Sequence, residues 1–164
     1  MNNSDKLLAG VLYRSPSGSN SNNEKLIGLI DEISDSNYSH LLLMGDINYP
    51  KVNWDSWHVS AEDSREYKFM KCLQDNFLFQ HVNKPTRCRG TDTPSILDLV
   101  ITNALNISDM EYQSPIGKSD HSVLVFNYNC YAVLQDKQFE KTLYDKGDYE
   151  GLQKEMDDIE WGEL

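Results

Sequence analysis

Long apolar runs are absent from this 164-residue chain. The longest, such as Leu41-Leu42-Leu43-Met44, fall far short of the roughly 20 residues a membrane-crossing helix needs, so no membrane partner is expected. The opening Met-Asn-Asn-Ser-Asp has neither the basic start nor the apolar core of a secretory signal. Cysteine is scarce: Cys72, Cys88 and Cys130 are widely spaced, odd in number and form no CxxC pair. That excludes a zinc knuckle and a disulfide framework. Reduced thiols in an intracellular compartment, nuclear or cytoplasmic and not secreted, are the simple reading. Positive charge is scarce too, with 15 Lys and Arg against 26 Asp and Glu for a net charge of −11. Phosphate contacts need cations, so a stand-alone, tight DNA-binding module is disfavoured. No internal repeat is present.

What is there reads as one globular domain with an acidic tail. Residues 131–164 hold ten acids and four bases, and the rest of the chain is much less acidic. Residues 7–13 read as a buried strand, and the Ser, Gly, Asn and Pro of 15–23 as a loop. Ser21-Asn22-Asn23-Glu24 matches a capping box, so a helix should start there, with Leu26, Ile27, Ile30 and Ile33 at helical spacing. His40–Met44 is an apolar strand that stops at Gly45-Asp46. Trp54 and Trp57 sit in an irregular loop, where loop and core packing is preferred over stacking on a base. A helix is expected over 62–76, and strands over 77–82, 96–102 and 121–128. Leu152, Met156 and Ile159 make a weak helical stripe in the tail. Strands and helices interleave, which gives an α/β or α+β class.

Three carboxylates sit inside or at the ends of these strands: Asp46, Asp98 and Asp120. Gly-Asp is equally a common turn, and Ser119-Asp120 could simply cap one. Asp98 is harder to dismiss. It lies within Ile-Leu-Asp-Leu-Val-Ile, where a carboxylate must find a partner or suffer desolvation. Histidine suits, because a carboxylate fixes its tautomer and raises its basicity. Phosphodiester hydrolysis needs such groups: a base to orient water and donors for the developing charge, with hard oxygen ligands for a divalent metal.

Five stretches in order carry a resemblance. They are Gly10-Val-Leu-Tyr-Arg-Ser-Pro16, Leu43-Met-Gly-Asp-Ile-Asn-Tyr-Pro50, Lys84-Pro-Thr-Arg87, Ile96-Leu-Asp-Leu-Val-Ile-Thr-Asn103 and Ser114-Pro-Ile-Gly-Lys-Ser-Asp-His121. Residues 7–130 thereby resemble the endonuclease/exonuclease/phosphatase superfamily, and within it the endonuclease domain of non-LTR retrotransposon polyproteins of the jockey-like and chicken-repeat-like kind. The resemblance implies part of a four-layer αββα sandwich of the deoxyribonuclease-I-like fold, with the N-terminal half missing. Residues 1–130 would be the C-terminal portion of that domain. Residues 131–164 would be a partly helical linker toward a reverse transcriptase that follows in the parent polyprotein.

The implied activity is Mg²⁺-dependent nicking of DNA, which the fragment alone would perform weakly or not at all. Asp46, Asn48, Asp98 and His121 would be catalytic, with Asp98 paired to His121 and with Tyr13 and Asn48 on the phosphate. Asp120 would help bind Mg²⁺ or Mn²⁺, in a site left incomplete without the upstream glutamate of such domains. Lys84, Arg87 and Arg89 would approach DNA. Ile47 stands where the family motif usually has Phe, an apolar swap of small consequence. Two other readings stay open: a phosphodiesterase of the same fold acting on another phosphate ester, and a non-catalytic remnant that binds a partner through an uncovered sheet face.

Overall fold

The computed structural model describes residues 5–90, 92–130 and 147–157. Its first unit, within residues 1–133, contains two sheets and two helices. Strand β1 (Leu7–Val11) runs parallel to β2 (His40–Asp46), and β2 runs antiparallel to β4 (Asp98–Thr102). The short β3 (Phe79–Gln80) adds to β4, giving the order β1-β2-β4-β3. A second, two-stranded sheet pairs β5 (Ile107–Gln113) with β6 (Val123–Tyr128).

Helix α1 (Asn20–Ser34) and helix α2 (Arg65–Asp75) pack on each other and cover one face of the larger sheet. The capping box expected at Ser21 gives way to an earlier start: Ser19 is the N-cap, and its hydroxyl accepts from the Asn22 amide at 3.2 Å. A Ser oxygen satisfies one of the orphan donors of the first turn, and Ser19 reaches it first. Helix α2 begins at Ser64 in the same way, and Glu66 in its first turn suits the positive end of the helix dipole. It ends where Phe77 turns left-handed at φ 53°, with the Leu78 amide donating back to Leu73.

Two cores follow. One lies between the sheet and the helices and gathers Ile30, Leu41, Leu43, Phe69, Leu73, Leu99 and Ile101 with Tyr49 and Trp54 from the loop after β2. Phe69 and Leu73 are fully buried, and each such side chain contributes about 2 kcal/mol. Trp54 is buried too, edge-on to Trp57 at 5.5 Å between ring centroids, as packing rather than stacking required. The other core joins Leu42, Val82 and Val100 to Ile107, Met110, Leu124 and Phe126 of the small sheet. The alternation of β2 and β4 thus feeds both faces.

Among the described residues β1 pairs on one side only, and its Val11 is 81% exposed. The strand expected over 77–82 shrinks to two residues. Phe77 closes the helix, and the Gln80 side chain bonds both backbone groups of Val82, which ends the ladder. Strand β2 does not stop at Met44 but runs through Gly45-Asp46. Strand β5 had no clear sequence signal, because its alternation is broken by a bulge between Ser108 and Glu111 with Asp109 at φ 52°.

In the second unit, helix α3 (Tyr149–Asp157) carries Leu152 and Met156 of the tail stripe, both exposed. Ile159, and most of the expected linker, lie outside the described residues.

Candidate active site

The site forms where β2, β4 and the chain before β6 meet. Gly45 makes the approach of β1 possible. Its φ is +141°, and an added Cβ would stand 1.9 Å from the Leu12 carbonyl oxygen. Only glycine fits there. The β1–β2 ladder therefore continues to Arg14, whose amide donates to the Asp46 carbonyl at 2.9 Å. This delivers Tyr13, 74% exposed, beside the Gly45-Asp46 backbone.

Beyond Asp46 the chain turns at Asn48, held at φ 53°, a conformation Asn tolerates better than most residues. The Asn48 amide donates to Asp46 Oδ1 at 3.2 Å, and its side-chain Nδ2 donates to the Arg14 carbonyl at 2.9 Å. Arg14 completes the clamp. Its Nη1 donates to the Asn48 carbonyl at 3.2 Å, and its guanidinium lies 4.1 Å from the Tyr49 ring centroid. Arg14 is 7% exposed, so this charge is buried against the carbonyls and ring it serves.

Asp46 and Asp98 are register partners on β2 and β4, so both side chains project from the same face of the sheet. The Asp98 carboxylate accepts from His121 Nδ1 at 2.8 Å, the pairing that the resemblance implies. This leaves Nε2 as the outward nitrogen of the imidazole. Burial and the facing Asp98 raise the Asp46 carboxyl above its ordinary range, while Asn48 and His121 partly offset this.

Asp120 goes elsewhere. Its Oδ2 accepts from Arg87 Nε at 2.9 Å, and its Oδ1 stays 4.0 Å from His121 Nε2. The Arg87 guanidinium holds the Asp120 carboxyl below the usual carboxylate range. Arg87 thus sits inside the site. Of the other two expected DNA contacts, Lys84 lies 5.3 Å from the Tyr112 ring centroid, and Arg89 is exposed.

Sequence reasoning missed Thr86 and Arg14. Thr86 is fully buried, and its Oγ1 accepts from the amides of Leu97 and Asp98 at 3.1 and 3.0 Å. Its carbonyl accepts from the Ser122 amide at 2.7 Å. One residue therefore ties the Asp98 segment to the His121 segment. The available signal was a Thr amid the basic cluster, which drew attention to charge instead.

The donor set does not match the divalent cation that the resemblance implies. Among the described residues no three His, Cys, Asp or Glu side chains come together as a metal cage. Asp98 is engaged by His121 and Asp120 by Arg87. A hard divalent cation takes about six oxygens, so these residues alone do not fit one.

Residues 7–125 match the family model described as endonuclease-reverse transcriptase. Five solved chains match. One, the endonuclease domain of TRAS1, a telomere-specific non-LTR retrotransposon, has 24% identity and a TM-score of 0.52, with 71% of this chain and 52% of that chain covered. The chain thus spans about half the length of that structure, and the likeness shows the mixed α/β fold. No curated protein sequence matches. With the family model covering most of its length, the chain belongs to the endonuclease-reverse transcriptase family.

Proposed function

We propose that this chain supplies half of a DNA phosphodiesterase site, the nicking domain of a non-LTR retrotransposon polyprotein. The observation that carries the reading is the Asp98–His121 hydrogen bond at 2.8 Å, with Asp46 opposite Asp98. In the proposed reaction Asp46 takes a proton from a water that attacks phosphorus. Its raised pKa makes it a stronger base than an ordinary carboxylate. A P–O bond forms to the water oxygen and the P–O3′ bond breaks, leaving a 3′-hydroxyl once the departing oxygen is protonated. His121, with Nδ1 anchored on Asp98, directs Nε2 to the phosphate, and Tyr13 and Asn48 donate to its oxygens. Lys84 and Arg89 approach the DNA backbone.

Asp120 would serve Mg²⁺ or Mn²⁺ only on leaving Arg87, whose Nε donates to its Oδ2. The reverse transcriptase of the parent polyprotein is the expected downstream partner, and an intracellular compartment is the expected location. Among the described residues no helix is long and apolar enough to cross a membrane.

The test is conversion of supercoiled plasmid to open circle with Mg²⁺ or Mn²⁺, at high protein concentration. The expected result is trace nicking that His121→Ala and Asp98→Asn both remove. Robust nicking by the chain alone, abolished by both, would overturn the half-site reading. Nicking that survives both would overturn the residue assignment. Faster cleavage of phosphorylated lipid headgroups would move the substrate to another phosphate ester. The exposed Val11 and Tyr13 on the open β1 side favour a second reading, a non-catalytic remnant that binds a partner there. Complete inactivity under every condition would support it.

A further inference from the structure

Asp120 adjoins His121 in the chain and has both Arg87 and the His121 ring near it. Its Oδ2 is bonded to Arg87 Nε at 2.9 Å, while its Oδ1 lies 4.0 Å from His121 Nε2, beyond hydrogen-bonding distance. His121 Nδ1 is already taken by Asp98. A second carboxylate on Nε2 would occupy both ring nitrogens. It would also close the atom that a phosphate oxygen needs. We infer that Arg87 is a positioning residue that holds Asp120 off His121 and so keeps the His121 Nε2 open to a phosphate oxygen.

The backbone fixes Arg87 for this task. It forms bridges with Ser95 on one side and His121 on the other, and the next amide, Cys88, donates to the Asp120 carbonyl at 3.2 Å. Its neighbour Thr86 is fully buried and bonded to the Asp98 strand. The root of the arginine therefore cannot drift relative to either His121 or Asp98. Asp120 above all, and to a smaller extent Asp92 and Asp46, favour the charged form of the guanidinium. An arginine suits better than a lysine because Nε–H lies in a rigid plane and sets a direction as well as a charge.

This inference rests on the proposed phosphodiesterase site, but its test needs no DNA. The whole chain, labelled with ¹⁵N, is examined by long-range ¹H–¹⁵N correlation of the His121 ring at neutral pH. Arg87→Gln frees Asp120, and the Nε2 resonance is expected to shift as that carboxylate closes on it. Arg87→Gln combined with Asp120→Asn is expected to restore the wild-type position, because no charge remains to capture the ring. Arg87→Lys should shift it less than Arg87→Gln. Amide signals of α2 report that the fold is kept. Should Arg87→Gln unfold, Arg87→Lys with and without Asp120→Asn gives the same comparison. An unmoved Nε2 in a folded variant overturns the inference, as does a shift that Asp120→Asn fails to reverse. Failure here leaves the nicking assay to judge the phosphodiesterase reading on its own.

Discussion

Asp46 and Asp98 face each other as register partners across β2 and β4. Like charges directly opposite on a sheet work against folding, and Asp46 shows it in a carboxyl raised by burial and by Asp98. Its folded pKa lies above the unfolded value, so the cost is absent at low pH and appears as pH rises through the folded pKa. Asp46→Asn should therefore stabilise the protein at pH 7, by about 0.5 kcal/mol after allowance for solvent screening. The gain should vanish near pH 3. Thermal unfolding at the two pH values checks this, and a variant less stable at pH 7 would contradict it. Stability gained at the expense of activity is the usual pattern for such a residue.

Thr86 should be far more sensitive to loss of its hydroxyl than of its methyl. Thr86→Val leaves two buried amides, those of Leu97 and Asp98, without their acceptor. Each costs roughly 1–3 kcal/mol. Thr86→Ser keeps the oxygen and should cost about 1 kcal/mol for the lost methyl. Urea unfolding of the two variants gives the comparison. Equal destabilisation would remove Thr86 as the tie between the Asp98 and His121 segments.

Gly45→Ala should be among the most damaging single changes. The new Cβ meets the backbone of Leu12, not a side chain that could swing away. Strand β1 must part from β2, at a cost of about 4 kcal/mol or more. Circular dichroism would show a protein unfolded or greatly weakened. A variant with the wild-type melting temperature would mean that β1 does not lie where it is described.

The cysteines should differ in reactivity. Burial and the nearby Asp31 push the Cys72 thiol up to about 12, so at pH 8 only roughly one molecule in 10⁴ carries the reactive thiolate. Cys88 is exposed. Brief alkylation followed by peptide mass mapping should mark Cys88 in the native protein and Cys72 only after denaturation. Equal labelling of both would contradict the buried setting of Cys72.

Much of the site was legible because its residues break local patterns. Asp98 stood out as a charge in an apolar run that had to find a partner, and the family resemblance singled out His121 among the four histidines. Asp46 was harder to place, since Gly-Asp reads as a turn until the approach of Leu12 shows why glycine is needed inside a strand. Arg87 was taken for a surface cation, because a sequence cannot say which carboxylate lies across a loop. Arg14 and Thr86 were invisible for a related reason: both act on backbone groups, which every residue has. Strand β5 escaped because its bulge shifts the alternation by a residue, and Phe77, apolar enough for a strand, ends a helix instead.

The one-sided pairing of β1 has a practical consequence at the bench. A sheet edge carrying an exposed Val11 and Tyr13 is a template on which another chain can add a strand. The protein should therefore associate as it is concentrated, to a degree set by protein concentration more than by salt. Val11→Lys places a charge where natural edge strands often carry one. It should keep the protein monodisperse in light scattering at the concentrations that spectroscopy requires, and a variant that still aggregates would point to another surface.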